Sequence, residues 1–230
     1  MRSSIQRHFH SFSRLGVVLL AVTLVGLSPW MQSASGAPEP SLIPTRWELD
    51  FEPGPLRIAM VEVERQVEGP NGSVAVVRQP EAFMYFTYTV MNNTGEDRMF
   101  APSFELAMGD GDLLKSGQNV PASVTRELLQ RLNNPFLLDQ IGIIGTLEQG
   151  EENAREGLVI WPAGQSDMKA DEAIIFASGL SGEFKRVTRP DTGEEVTLRK
   201  VMMLRHHTPG DRLGQGDRPF NRVQQRWILR

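Results

Sequence analysis

Residues 83–108 read FMYFTYTVMNNTGEDRMFAPSFELAM, and the spacing inside this stretch decides the fold class. Met84, Phe86, Tyr88 and Val90 alternate with Phe83, Tyr85, Thr87, Thr89 and Met91, the period of two that sends successive strand side chains to opposite faces. The even face is wholly apolar and the odd face mixed, so the even face is expected in the core. The strand pattern stops at Asn92-Asn93-Thr94-Gly95-Glu96-Asp97, whose side chains and glycine favour a tight reversal. The chain resumes as Arg98-Met99-Phe100-Ala101, meets Pro102, which has no N–H to give to a sheet ladder, and continues with Phe104, Leu106 and Met108. The pattern predicts a hairpin of two strands, the second interrupted at the proline.

Working outward, Trp47, Leu49 and Phe51 alternate with polar neighbours and predict a short strand ended by Pro53-Gly54-Pro55. Leu56 to Val67 and Val74 to Val77 predict the arms of a hairpin around Glu68–Gly72, leading into the strand at Phe83. On the other side the period changes. Val120, Val124, Leu128 and Leu132 recur every four residues, Pro121 suits an early helical position, and Glu127 precedes Arg131 by four. Asn134 as cap and Pro135 at the first position predict a second helix, with Leu137, Ile141 and Ile144 as its stripe and Gly145 as its stop. The two stripes must bury against the open end of the strand sandwich or against a protein partner. Val124, Leu128, Leu132, Leu137, Ile141 and Ile144 are therefore the candidate partner surface.

Strands resume at Leu158–Trp161 and Ala173–Ala177, followed by a hairpin of Phe184–Thr188 with Glu195–Arg205. The longer arm changes register between Leu198 and Val201, which predicts a bulge near Arg199-Lys200. Val223, Gln225, Trp227 and Leu229 predict a terminal strand. About nine short strands with one helical interruption predict a mainly β fold, an antiparallel β-sandwich over residues 46–230 with a two-helix insertion at about 120–145.

Residues 1–36 hold Arg2, Arg7 and Arg14, no acid, and the apolar run LGVVLLAVTLVGL from Leu15 to Leu27. That order is a secretory signal peptide, and the run is short of the roughly 20 residues a spanning helix needs. Cleavage is expected after Gly36, with residues 37–45 as a flexible Pro- and Ser-rich leader and the product exported to the periplasm or beyond, with no transmembrane span. The chain has a formal charge of −4 and no cysteine. The acidic balance argues against nucleic acid, and the absent cysteines exclude disulfides and thiol catalysis.

The segments YFTYTVMNNTGEDRMFAPSFELAMGDG and LEQGEENAREGLVIWPA resemble the strand, Asn-rich turn, strand and glycine-containing loop of immunoglobulin-like domains in small exported bacterial proteins of unassigned function. The resemblance implies an immunoglobulin-like architecture and carries no catalytic residue. It leaves the helical segment and the tail after His206 unexplained.

Few residues suggest chemistry. His206 and His207 are adjacent, so on a strand they face opposite ways. Asp211 is near enough to join one of them, which makes a metal-dependent hydrolase at His206–Asp211 the enzymatic alternative. Gly109-Asp110-Gly111-Asp112 lacks the later ligands of a calcium loop and reads as a turn. Glu148, Glu151, Glu152 and Glu156 read as a solvated loop, and Ser166, Ser178 and Ser181 lack a nucleophile-elbow context. No catalytic, cofactor or metal residue is assigned. The expectation is a non-catalytic binding or structural protein of the cell envelope, with an accessory subunit of an envelope assembly as a further alternative.

Overall fold

The computed structural model describes residues 37–69, 71–108, 113–163, 171–208, 214 and 216–230. The signal segment 1–36, the Gly109–Asp112 turn, Ser166 and Asp211 lie outside the described residues. The chain is mainly β, with several antiparallel sheets and one α-helix among the described residues. Strands β1 (Asp50–Glu68), β2 (Val74–Met91), β8 (Arg155–Pro162) and β6 (Leu137–Leu138) lie side by side in that order. A second sheet runs β10 (Phe184–Thr188), β11 (Glu195–His207), β9 (Glu172–Ser178), β4 (Ser103–Met108), β5 (Leu113–Lys115), with β12 (Asn221–Leu229) also paired to β11. A small third sheet joins β3 (Arg98–Phe100) to β7 (Gly145–Leu147).

The alternation read in the sequence sets the core. Met84, Phe86, Tyr88 and Val90 of β2 share one buried cluster with Phe104, Leu106 and Met108 of β4, Ile175 of β9 and Leu204 of β11. Rings from both larger sheets meet there, Tyr88 lying 4.6 Å from Phe104 and Phe86 6.1 Å from Phe104 between centroids. The other face of the first sheet is covered too. Phe83 and Tyr85 of β2, Val61 and Val63 of β1, and Leu158 and Ile160 of β8 pack against helix α1 (Ala122–Leu132) through Val124 and Leu128, forming a second apolar cluster.

Four expectations are corrected. The stretch at 83–108 is not a hairpin: β2 pairs with β1 and β8, whereas β3 pairs with β7 and β4 with β5 and β9. Buried Asn92 redirects the chain. Its amide donates to the carbonyls of Glu96 and Leu147 at 2.9 and 2.8 Å, and its Oδ1 accepts the Thr94 N–H at 3.1 Å, so the turn is tied to β7 and not closed back on β2. The strand break at Ala101-Pro102 is present.

Pro53-Gly54-Pro55 does not end a strand. β1 runs through it with a shift of register between Pro53 and Leu56. Gly54 passes so close to β2 that a Cβ would lie 2.5 Å from Thr87 Oγ1.

The second helix is absent. Asn133 leaves α1 in the left-handed region at φ 47°. Beyond it, side chains take the amides that a helix would have used: Asn134 Oδ1 accepts the Phe136 N–H at 3.0 Å, and Asp139 Oδ1 accepts those of Ile141 at 3.0 Å and Gly142 at 2.6 Å. Leu137-Leu138 instead adds in parallel to β8 at Glu156-Gly157.

The bulge near Arg199-Lys200 is not formed. Val201, Met202, Met203 and Leu204 are all buried, so the apparent change of face reflects a strand covered on both sides. The register shift lies between Arg205 and His206, against β12.

Candidate functional site

Helix α1 does not lie flush on the first sheet. Between its outer side, the turn at 116–119 and the loop at 139–141 is a cleft of about 470 Å³. Leu158 and Ile160 of β8 form its floor, Val120 and Leu129 its apolar wall, and Thr125, Arg126, Asp139, Gln140 and Ile141 its rim. The walls are fixed by the backbone. The Gly117 N–H donates to the Ile160 carbonyl at 2.8 Å, pinning the turn to β8, and Ser116 N–H donates to Phe104 at 3.0 Å, pinning the same turn to the second sheet. Gly117 has φ +72°, and the Gln140 side chain occupies the space a Cβ would need, with Nε2 1.6 Å from that position. Arg131 anchors the far end of α1, donating to the Met60 carbonyl of β1 at 2.8 Å.

Two charged side chains line this cleft, Arg126 and Asp139, and neither is in an ion pair among the described residues. Asp139 is held in place by the two amides of its own loop, through one carboxylate oxygen.

The candidate partner surface separates into two groups. Val124, Leu128 and Leu137 are buried against the outer face of the first sheet, and Leu132 packs partly against the same cluster. Ile141 is 70 % exposed at the cleft rim, and Ile144 is exposed but does not line the cleft. The six therefore do not share one exposed surface: the period-four stripe found the helix face that closes the fold. The cleft had no signal of its own in the sequence, because its residues are drawn from four separate segments.

The two histidines face opposite ways, as the alternation requires. His207 is exposed, whereas His206 is 1 % exposed, on the same side of β11 as Met202 and Leu204. Its Nδ1 has no hydrogen-bond partner. Burial first, and then the positive charge of Arg222, pushes its pKa from 6.5 down to about 4, against hydrogen bonding with the Ala173 and Leu204 backbone. No group of three His, Asp or Glu side chains that could hold a metal occurs among the described residues.

A buried ionic cluster lies at another end of the second sheet. Lys200, 2 % exposed, sits 2.7 Å from Glu48 and 3.1 Å from Glu183, and its ammonium lies 5.1 Å from the Trp227 ring centre. Burial opposes the charged forms, but the two carboxylates outweigh it and raise the Lys200 pKa, and the Glu183 pKa is lowered by the Ser41 amide and Lys200. The Ser41 N–H donates to Glu183 at 2.8 Å, so the leader expected at 37–45 is tied down at that point.

Compared with family models, with curated proteins and with solved structures, the chain matches none.

Proposed function

We propose that the chain is an exported, non-catalytic binding protein of the cell envelope, built on an immunoglobulin-like β-sandwich, and that it binds its ligand in the cleft beside α1. The observation that carries this reading is the cleft itself: about 470 Å³, an apolar floor of Leu158 and Ile160, and a small number of polar groups at the rim. Small-molecule sites share that size and composition. Two largely antiparallel sheets with a common core, and a chain that passes from β2 of one through β3 to β4 of the other, support the sandwich, and the basic, apolar and small-residue order of residues 1–36 supports export.

The test is to purify the full chain from its native envelope, extract it with organic solvent and identify what it carries by mass spectrometry. Ala122, exposed on the cleft wall, offers a way to fill the site without touching the core, and Ala122→Trp should emerge without the small molecule that the natural chain carries. An empty natural chain, or identical contents in both, contradicts the reading. Amino-terminal sequencing of the same material should read from Ala37.

A second reading, subunit of an envelope assembly, is favoured by the far part of the β1–β2 pair. There Val67, Val74, Val76 and Val77 are exposed on a two-stranded ribbon held by Arg65–Glu81 and Arg78–Glu64. Shortening the ribbon should release envelope proteins that co-purify with the chain while leaving the two cores folded.

A further inference from the structure

The rim of the cleft carries one cation, the exposed Arg126, and one anion, the loop-held Asp139, over an apolar floor, and we infer that it takes a small zwitterion with an apolar body: an apolar amino acid or dipeptide with free ends. This inference rests on the binding reading above and adds the ligand class to it. Arg126 offers a planar fork that matches a carboxylate, and it has no acidic partner among the described residues. Asp139 offers a carboxylate oxygen beyond the one that its own loop uses, which matches an ammonium group. Thr125 and Gln140 add neutral donors and acceptors at the same rim, where a peptide group would lie.

Charge complementarity separates this ligand from its alternatives. An uncharged apolar molecule gains nothing from either ion. A fatty acid answers Arg126 but sets its carboxylate in the field of Asp139, and an amine does the reverse. Only a ligand carrying both signs answers both residues. No ion pair joins Arg126 to Asp139 among the described residues, so a ligand that bridges them does not have to break an existing pair.

The test is calorimetric titration of the full chain with Leu-Leu, its N-acetyl form, its C-terminal amide and free leucine. Capping either end should weaken binding by about fivefold or more. Arg126→Gln should remove the preference for free acid over amide and leave the preference for free amine intact. Asp139→Asn should do the opposite, because asparagine keeps the Oδ1 acceptor for the Ile141 and Gly142 amides and loses only the charge. A merely structural role for either residue would weaken all four ligands together. Tighter binding of leucine than of Leu-Leu, or the reverse, selects the length of the zwitterion, and either result supports it. Equal affinity for capped and free ligands, with Ala122→Trp still abolishing binding, overturns the zwitterion and leaves the cleft as a site. No binding of any of the four overturns the zwitterion as well, and the extraction experiment then decides the cleft separately.

Discussion

Tyr88 holds a hydroxyl with no hydrogen-bond partner inside an aromatic group formed by Phe51, Phe86 and Phe104. Burial pushes its phenol pKa far up, so the group stays neutral and its polarity is uncompensated. Tyr88→Phe is accordingly expected to be neutral or to stabilise the fold by up to about 1 kcal/mol, read by urea denaturation. Phe86→Ala, at a fully buried ring, is expected to cost about 3–5 kcal/mol, and Thr87→Ala, at a half-buried position, far less. Equal losses at 86 and 87 would mean that the strand does not alternate as described. His206 gives a prediction in pH. The folded state keeps it neutral down to about 4, while the unfolded chain takes up a proton below about 6.5. Stability from this residue is thus complete above pH 6.5 and lost as pH falls toward 4, by about 3 kcal/mol, and it is level below that. Thermal melts across that range should show the slope in the natural chain and a flatter one in His206→Leu; parallel profiles would place His206 in contact with water.

At the scale of the element, α1 is part of the core and the loop after it is not. Leu128→Ala should cost about 2–4 kcal/mol, because Leu128 fills the cluster with Phe83, Tyr85 and Ile160, whereas Ile141→Ser should stay within about 0.5 kcal/mol. Comparable destabilisation at both positions, measured by denaturant midpoints, would contradict this division. Helix α1 was legible in the sequence because its stripe of Val120, Val124, Leu128 and Leu132 has helical period and its burial follows that period. The second helix was predicted from signals just as regular, and failed for a reason that periodicity does not contain. Asn134 and Asp139 bond backbone amides two or three residues ahead, and those local bonds outcompete a short helix whose stripe ends at an exposed Ile144. Likewise Gly54 turned an expected strand end into a bulge by allowing the β1 backbone to pass Thr87.

At the scale of the molecule, the strands and their inward faces follow from alternation, but the sheet each strand joins does not. The Asn-rich turn after Met91 looks like a hairpin until Asn92 is seen to bond the Leu147 carbonyl, 55 positions away, which leads the chain into β3 beside β7 and only then to β4 of the second sheet. Lys200, which the sequence marks only by an expected bulge, is the cation of a buried cluster that joins Glu48, Glu183 and the amide of Ser41. The cleft is the feature furthest from the sequence, since Gly117, Arg126, Asp139 and Ile160 become neighbours only when the turn, the helix, the loop and β8 are assembled. Its use as the binding site is the central claim. The most direct measurement is amide-shift mapping of the isotopically labelled full chain during titration with small apolar-bodied compounds, Leu-Leu among them. The account predicts that the amides of Gly117, Thr125, Arg126, Gln140 and Ile141 shift together while those of Val74, Val76 and Val77 stay in place. Shifts centred away from α1, or none at any concentration, would contradict it.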